Sequence, residues 1–469
     1  MLDPGSYLLA SKIFVQLLGL IHLIASGSFL LQIRGLIGRG GILPLKNYLG
    51  GTRDPKRWFY RPTLFWLNTS DTALLIVNSL GVICSIFLLF GYFPTVNLIL
   101  LYLIWLSIVY AGQDFMSFGW EMFLLELTFN GIFLSMTDTP NLMIWLSVNF
   151  LIIRFHIQAG AVKLQSQDPN WRNQTALWYH YFTQPIPNMI AWYIHKLPLW
   201  FHQLSCILMF VIELVIPFLV LGNQEMRLAA WFCFVGLQFF IWLTGNFSYL
   251  NYMTVAFCTI LLSDNILSPL TGSPATPDST PLSLTIFLSI VGGGLILLQF
   301  LRFWTSFKWN PTFLKILDWV EPFHIINRYG IFAIMTTERF EIVIEGSEDG
   351  ENWKEYLFKH KPSEVSRRPR RISPFQPRLD WQAWFLPFTS FGAERWFVQF
   401  LTCLLEGKPR VLGLLRHNPF PEKPPKYLRA SMYDYTYTSW KEKNKTGNWW
   451  NRRYTGPYSS TLHISRKTS

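Results

Sequence analysis

The residues in this chain with the means to do chemistry are acids and bases set inside apolar runs. Asp114, Glu121 and Glu126 fall in Gly112-Gln-Asp-Phe-Met-Ser-Phe-Gly-Trp-Glu-Met-Phe-Leu-Leu-Glu-Leu; Arg154, His156 and Lys163 fall on the next run, and Glu213 lies four residues before Pro217. An ionisable side chain in hydrocarbon is costly, so it pairs with another or lines a polar cavity. On a continuous helix a seven-residue step returns Asp114 and Glu121 to nearly one face. Glu121, Glu126, Arg154, His156 and Lys163 are therefore candidates for general acid and base, or for a proton relay. Equally, Asp114, Glu121, Glu126, Arg154, Lys163 and Glu213 could form an ion-pair network that only fixes helix packing, and spacing does not separate the two readings. No phosphate-binding glycine loop, nucleophile elbow or His-Glu-x-x-His motif is present. Cys84, Cys206, Cys233, Cys258 and Cys403 show no metal-ligand spacing, so no metal and no cofactor is expected and the thiols read as small apolar residues.

A second concentration of functional side chains spans residues 161–199. It runs Lys163-Leu-Gln-Ser-Gln-Asp-Pro-Asn-Trp-Arg, then Thr175-Ala-Leu-Trp-Tyr-His-Tyr-Phe-Thr-Gln-Pro-Ile-Pro-Asn, then Trp192-Tyr-Ile-His-Lys-Leu-Pro. Amphipathic aromatics favour the membrane interface, so a helix pair lying flat on the bilayer is one reading. The other is a recognition surface for a partner or lipid, with Trp171, Arg172, His180, Tyr181 and His195 as its handles.

The elements that must position these residues follow from composition. At 469 residues with 51% hydrophobic but only 14% charged side chains and a mean hydropathy of +0.24, the chain lacks the charge of a soluble protein, which is about a quarter of its residues. Disorder, fibrous repeats and a nucleic-acid-binding solenoid are excluded. A bilayer-crossing helix takes about 20 apolar residues, and nine runs qualify or nearly do: 8–31, 72–93, 95–111, 119–136, 141–160, 200–221, 227–244, 250–263 and 283–303. No Lys or Arg occurs between Pro62 and Ile153, which a soluble surface would not tolerate. A cleavable signal peptide fits the N-terminus poorly, because the run from Tyr7 to Leu31 is long and Lys12 is its only early cation. Residues 1–302 carry a net charge of +2 and residues 303–469 a net +10. The expected architecture is thus a multi-pass α-helical membrane domain of about eight or nine spans over 1–303, with the aromatic loop at 161–199. A soluble, basic, β-rich α+β domain over 304–469 follows.

Within that second part, Phe340, Ile342 and Ile344 alternate with Glu341, Val343 and Glu345, a turn follows at Asp349-Gly350, and Trp353 opens another alternating run. A β-sandwich-like unit over about 322–388, then helices at 395–405 and 410–416, is expected. The run Arg367-Arg368-Pro-Arg370-Arg371 reads as a solvated loop or as a contact to anionic lipid headgroups.

Lys and Arg in short loops resist translocation. Arg34, Arg39, Lys46, Arg53, Lys56, Arg57 and Arg61 follow the first run, and with nine spans they share a side with the 161–199 loop and the C-terminal domain. Charge alone makes that side cytosolic.

Several strings resemble the lipase maturation factor family: Gly112–Glu126, the Asp168-Pro-Asn-Trp-Arg to Tyr179-His-Tyr-Phe-Thr-Gln-Pro-Ile-Pro loop, Ile326-Asn-Arg-Tyr-Gly-Ile-Phe-Ala-Ile-Met-Thr-Thr-Glu-Arg, Pro377-Arg-Leu-Asp-Trp-Gln and His417-Asn-Pro-Phe-Pro. The resemblance implies a multi-pass protein of the endoplasmic reticulum membrane, or of the inner membrane in a bacterium. Animal members assist folding and assembly of secreted dimeric lipases and act as chaperones rather than catalysts. It also implies a domain facing the lumen or periplasm, against the charge reading; Asn173 and Asn444, each in a glycosylation sequon, offer a test. The family's membrane half is distantly similar to that of vitamin K-dependent carboxylase, which keeps open a membrane enzyme acting on a lipid or quinone-like substrate. Expected partners are membrane lipids and a secreted lipase or other secretory client, not nucleic acid. This chain departs from the animal members in being short, in lacking an extended N-terminal segment and in ending Arg466-Lys-Thr-Ser without a retention signal. A non-animal source is expected on that ground, which leaves the lipase client open.

Overall fold

Each of the nine apolar runs folds as a helix: α1 (Leu8–Leu30), α2 (Asp71–Leu89), α3 (Pro94–Gly112), α4 (Gly119–Leu134), α5 (Leu142–Gln165), α6 (Leu199–Leu214), α7 (Gln224–Thr244), α8 (Leu250–Cys258) and α9 (Leu282–Thr305). The computed structural model describes residues 3–51, 54–274 and 276–463; Arg53 and the chain end from residue 464, Arg466 included, lie outside them. Local chemistry sets the helix starts. Ser70, Asn141 and Asn223 accept backbone N–H bonds at the N-termini of α2, α5 and α7, and Pro94 opens α3. The N-terminus of α1 is capped from a distance, with the Asp264 carboxylate accepting from the N–H of Leu8 at 3.1 Å and of Leu9 at 2.9 Å.

Seven helices are long and apolar enough to cross a membrane, and α8 with the following helix Asp264–Thr271, bent by 112°, makes an eighth if the pair is one broken span. Against the eight or nine expected spans, the described residues thus hold seven or eight. The difference is α4, whose sixteen residues extend about 24 Å against a hydrocarbon core of about 30 Å. Its short length is tolerated because it is buried along most of its length by neighbouring protein, so few of its backbone groups meet lipid. Small residues allow close helix approach: a Cβ on Gly19 would stand 2.5 Å from the Leu89 nitrogen, and one on Gly292 would stand 2.6 Å from the Met143 carbonyl carbon.

The C-terminal half carries one five-stranded antiparallel sheet. Its strands are β1 (Phe340–Ser347), β2 (Lys354–Tyr356), β3 (Tyr427–Tyr437), β4 (Trp450–Pro457) and β5 (Leu462–His463), in the order β2-β1-β3-β4 with β5 beside β3. The stretch 322–388 thus supplies two strands of a single sheet instead of a sandwich of its own. β2 is too short to cover the eight residues of β1, and the eleven-residue β3 pairs along all of β1, from Phe340↔Asp434 to Ser347↔Tyr427. After α10 (Arg378–Ala383) and α11 (Arg395–Leu405) the chain returns to strand; the helix expected at 410–416 is a single turn, Pro409–Leu412.

The loop after α1, the 161–199 loop and the C-terminal domain share one face. Gly35, in a short helix after α1, sits so close to the Pro409–Leu412 turn that a Cβ would meet the Arg410 carbonyl oxygen at 2.6 Å, and Arg410 pairs with Asp71 at the start of α2. Arg371, of the basic run, is exposed but engaged with the helix bundle. It donates to the carbonyls of Trp242 and Leu243 at 3.1 and 3.0 Å and lies 3.9 Å over the Trp242 ring, closing the C-terminus of α7 with a cation.

Candidate functional site

The expected pairing of Asp114 with Glu121 on one helix face does not form, because α3 ends at Gly112, Gln113 has a φ of +50° and a short 3₁₀ turn precedes α4. Asp114 is half-buried beside that turn. Glu121 instead meets a residue 257 positions away: Arg378 at the start of α10 donates to it at 2.7 Å, both side chains fully buried, and the Tyr249 hydroxyl donates to its other oxygen. Arg378 also donates to the Phe115 carbonyl at 2.8 Å, and its guanidinium lies 5.1 Å over the Phe29 ring.

Glu126 and Arg154 are paired and fully buried between α4 and α5. The second Glu126 oxygen accepts from the Asn327 backbone N–H at 2.8 Å, the Asn327 amide at 3.0 Å and the Tyr329 hydroxyl at 2.5 Å, while Arg154 donates to the Asn327 carbonyl. The segment joining the two halves of the chain is thereby drawn into the helix bundle. A lone buried charge is far costlier than a saturated pair, so these carboxylates anchor segments from the second half. Arg227 is buried without a carboxylate, donating to Asn149 and to the Val220 and Ile260 carbonyls at 2.8, 2.8 and 3.0 Å.

The 161–199 loop is sandwiched rather than splayed on a surface. Arg339, which opens β1, donates to the carbonyls of Phe182, Gln184 and Pro185 at 2.9, 2.5 and 2.9 Å and pairs with Glu341 at 2.6 Å, which also holds Lys361 at 2.5 Å. Asp168 caps the turn at Pro169 and accepts from the Met335 N–H at 2.6 Å; Trp171 is buried and donates to the Phe332 carbonyl at 3.0 Å. Tyr181 is buried too, its carbonyl accepting from the Tyr437 hydroxyl at 3.2 Å. His180 is half-buried with Phe247 and Phe332 against its ring, and His195 Nδ1 donates to the Trp178 carbonyl at 2.9 Å beside Phe182 and Tyr437. Of the five expected handles, Arg172 alone is fully exposed.

Lys163, Glu213, His156 and His180 converge on a cavity of about 170 Å³ walled mostly by apolar side chains of α4 to α8 and the 328–332 segment. The Lys163 ammonium contacts both Glu213 oxygens at 2.9 and 2.8 Å. His156 Nδ1 lies 2.9 Å from the Ile152 carbonyl, and its ring stacks on Phe234 at 3.8 Å. Next to this cavity, sharing Gly119, Trp120, Phe247, Ile331 and Phe332 with it, lies an apolar groove of about 330 Å³ that extends over Pro185, Ile334, Trp381, Trp384 and Phe385. Among the described residues no three His, Cys, Asp or Glu side chains converge as a metal site would need.

Burial depresses both loop histidines. It pushes His180 down from 6.5 to about 4, helped by the nearby Lys163 charge, and His195 to about 4, helped by Lys196. Both are neutral in the folded protein at pH 7. A depressed histidine contributes stability above its unfolded value that is lost as the solution is acidified through the folded value. The thermal midpoint of the solubilised protein is expected to fall between pH 6.5 and 4, with a shallower fall in the His180→Gln/His195→Gln variant. Parallel melting curves from pH 7.5 to 4.5 check this, and an unchanged slope in the double variant assigns the effect to other groups.

Sequence reasoning missed Tyr249, Asn327, Tyr329, Arg339, Glu341, Lys361 and Arg378. Four of them lie in the strings Ile326–Arg339 and Pro377–Gln382, but nothing in a polar, proline-rich stretch says that its cations dock inside a helix bundle.

The lipase maturation factor transmembrane domain model matches residues 9–269, and the lipase maturation factor C-terminal domain model matches residues 325–460. The chain is similar to lipase maturation factor 1 of Homo sapiens, 31% identical over 99% of this chain and 89% of the relative, and to that of Mus musculus, 30% identical over 99% and 88%. Lipase maturation factor 2 of Gallus gallus is 29% identical over 97% of this chain and 82% of the relative. No solved structure matches.

Proposed function

The chain belongs to the lipase maturation factor family, and on that premise we propose that this integral membrane protein is an anchored folding and assembly factor for secreted lipases or similar secretory clients. Its work surface is the apolar groove between the 161–199 loop and the 328–334 segment, where Ile334 is 72% exposed and Trp384, Phe385 and Phe388 continue the apolar strip. Trp171, His180, Tyr181 and His195 hold the wall of that groove in place, and Arg172 adds a cation at the surface. The observation that supports a scaffold over a catalyst is the saturation of the buried acids: both oxygens of Glu121 and of Glu126 already accept hydrogen bonds, leaving little capacity to take a proton from a substrate. In cells stripped of their own lipase maturation factors, the expressed chain is expected to restore specific activity to a secreted lipase that is otherwise made but inactive. Normal accumulation of the protein with no gain in lipase activity per unit mass would overturn the reading.

The groove must then face the lumen of the endoplasmic reticulum, or the periplasm if the host is bacterial. Asn173 and Asn444 are both exposed and lie on the groove face. Expression in a glycosylating cell is expected to give an endoglycosidase-sensitive shift at each. An engineered sequon at 277–280 that is modified while these two are not would place the groove in the cytosol.

A second reading, a membrane enzyme for a lipid or quinone-like substrate, draws on the cavity beside Lys163, Glu213 and His156. Lys163→Met/Glu213→Leu, which removes the buried pair together, separates them: lipase rescue per unit of protein is retained by a scaffold and abolished in an enzyme.

A further inference from the structure

We infer that the cavity among α4 to α8 binds the uncharged head of a single-chain amphiphile that donates a hydrogen bond from a hydroxyl, of the monoacylglycerol or fatty-alcohol class. Two buried acceptors with no partner carry the inference, His156 Nε2 and Asn251 Oδ1, both on residues that line the cavity. Ile152 offers His156 Nδ1 a carbonyl, so Nδ1 carries the proton and Nε2 keeps its lone pair. Asn251 spends its amide N–H on the Gln238 side-chain oxygen at 2.8 Å, leaving its carbonyl. Buried polar atoms are rarely left without a partner, and two acceptors call for a donor. Trp120 Nε1, a buried donor on the same lining, also has no partner, so the head must accept as well as donate, as a hydroxyl does; a quinone or an ester, which only accepts, would meet Trp120 and leave both acceptors unsatisfied.

Charge and size narrow the class. Lys163 and Glu213 neutralise each other in the wall, and the remaining cation of the lining, Arg328, is exposed to solvent, so an anionic head would be held at that rim and leave the two buried acceptors without a donor. The walls are apolar, with Phe123, Phe155, Met209, Leu237 and Ile241 among them, and about 170 Å³ suits a small head with part of one chain. The two acceptors lie on the cavity side of the five residues it shares with the client groove, and the inference holds whether or not a client is a lipase.

The test uses the full chain in a zwitterionic amine-oxide detergent, which lacks hydroxyls. Monoacylglycerol with a dibrominated chain is titrated against its methyl ester and its free acid, with quenching of the cavity tryptophans Trp120 and Trp171 as the readout. The glyceride is expected to bind at least about tenfold more tightly than the ester, the scale of one lost hydrogen bond to a buried group. His156→Phe should erase that margin. Where His156→Phe fails to fold, Leu237→Phe, which fills the cavity from another wall, should weaken the glyceride to the same extent. Equal binding of glyceride and ester, tighter binding of the acid, or no saturable quenching by any of the three because water satisfies the acceptors, would each overturn the inference.

Discussion

Arg378→Met is expected to destabilise the solubilised protein by about 3–5 kcal/mol, the cost of leaving a buried carboxylate without its cation. Arg378 enters the bundle from the C-terminal half and meets Glu121 with both side chains fully buried, so no water reaches Glu121 to replace it. Glu121→Gln alone leaves the arginine uncompensated and should cost a similar amount. The paired change Glu121→Leu/Arg378→Met removes both charges together and should recover most of the loss, since an apolar pair of similar volume is often neutral or better. Denaturation midpoints of the three variants check this. Single and double variants of equal stability would mean that the pair contributes nothing by pairing.

The second large effect is expected at Glu126. Glu126→Ala leaves the Arg154 guanidinium, the Asn327 N–H and the Tyr329 hydroxyl without their shared acceptor, again about 3–5 kcal/mol for a broken buried pair. Here the damage has an address. Residues 324–335 are held inside the bundle by these bonds, and Arg328 is exposed, so trypsin should cut after Arg328 many times faster in Glu126→Ala than in the parent. Glu126→Gln keeps the acceptor but not the charge and should fall between. An unaltered cleavage rate at Arg328 in Glu126→Ala would show that the segment is held by its apolar contacts alone.

Much of the architecture was legible because hydrocarbon is an unforgiving solvent. Runs without Lys or Arg over 62–153 leave few folds open, and all nine apolar runs became helices. Short range was the limit. Glu126, Arg154, Lys163 and Glu213 stood out as ionisable groups inside apolar runs, but which of them pair is set by the packing of the helices that carry them. Asp114 was misplaced because a one-residue reversal at Gln113 resets the helical phase, and a glutamine gives no warning of a positive φ. Arg378 was invisible for a different reason: its partner lies 257 positions away, and only the tertiary fold can say that a polar-looking segment ends inside the bundle. The sheet followed the same rule. β1 was clear from alternation, whereas its long partner β3 lay beyond 388, past two intervening helices.

The order in which residues leave the ribosome gives the Glu121 pair a meaning beyond its strength. α4 enters the bilayer when only about a quarter of the chain exists, bearing a carboxylate whose cation is encoded at position 378. Until that arginine is synthesised and docked, the nascent protein holds an unneutralised acid at its centre, a state that membrane surveillance systems are built to recognise. A nonsense or frameshift lesion anywhere between those positions would yield a chain that never discharges this debt and is removed as misassembled, so the final fifth of the polypeptide decides the lifetime of the first two thirds.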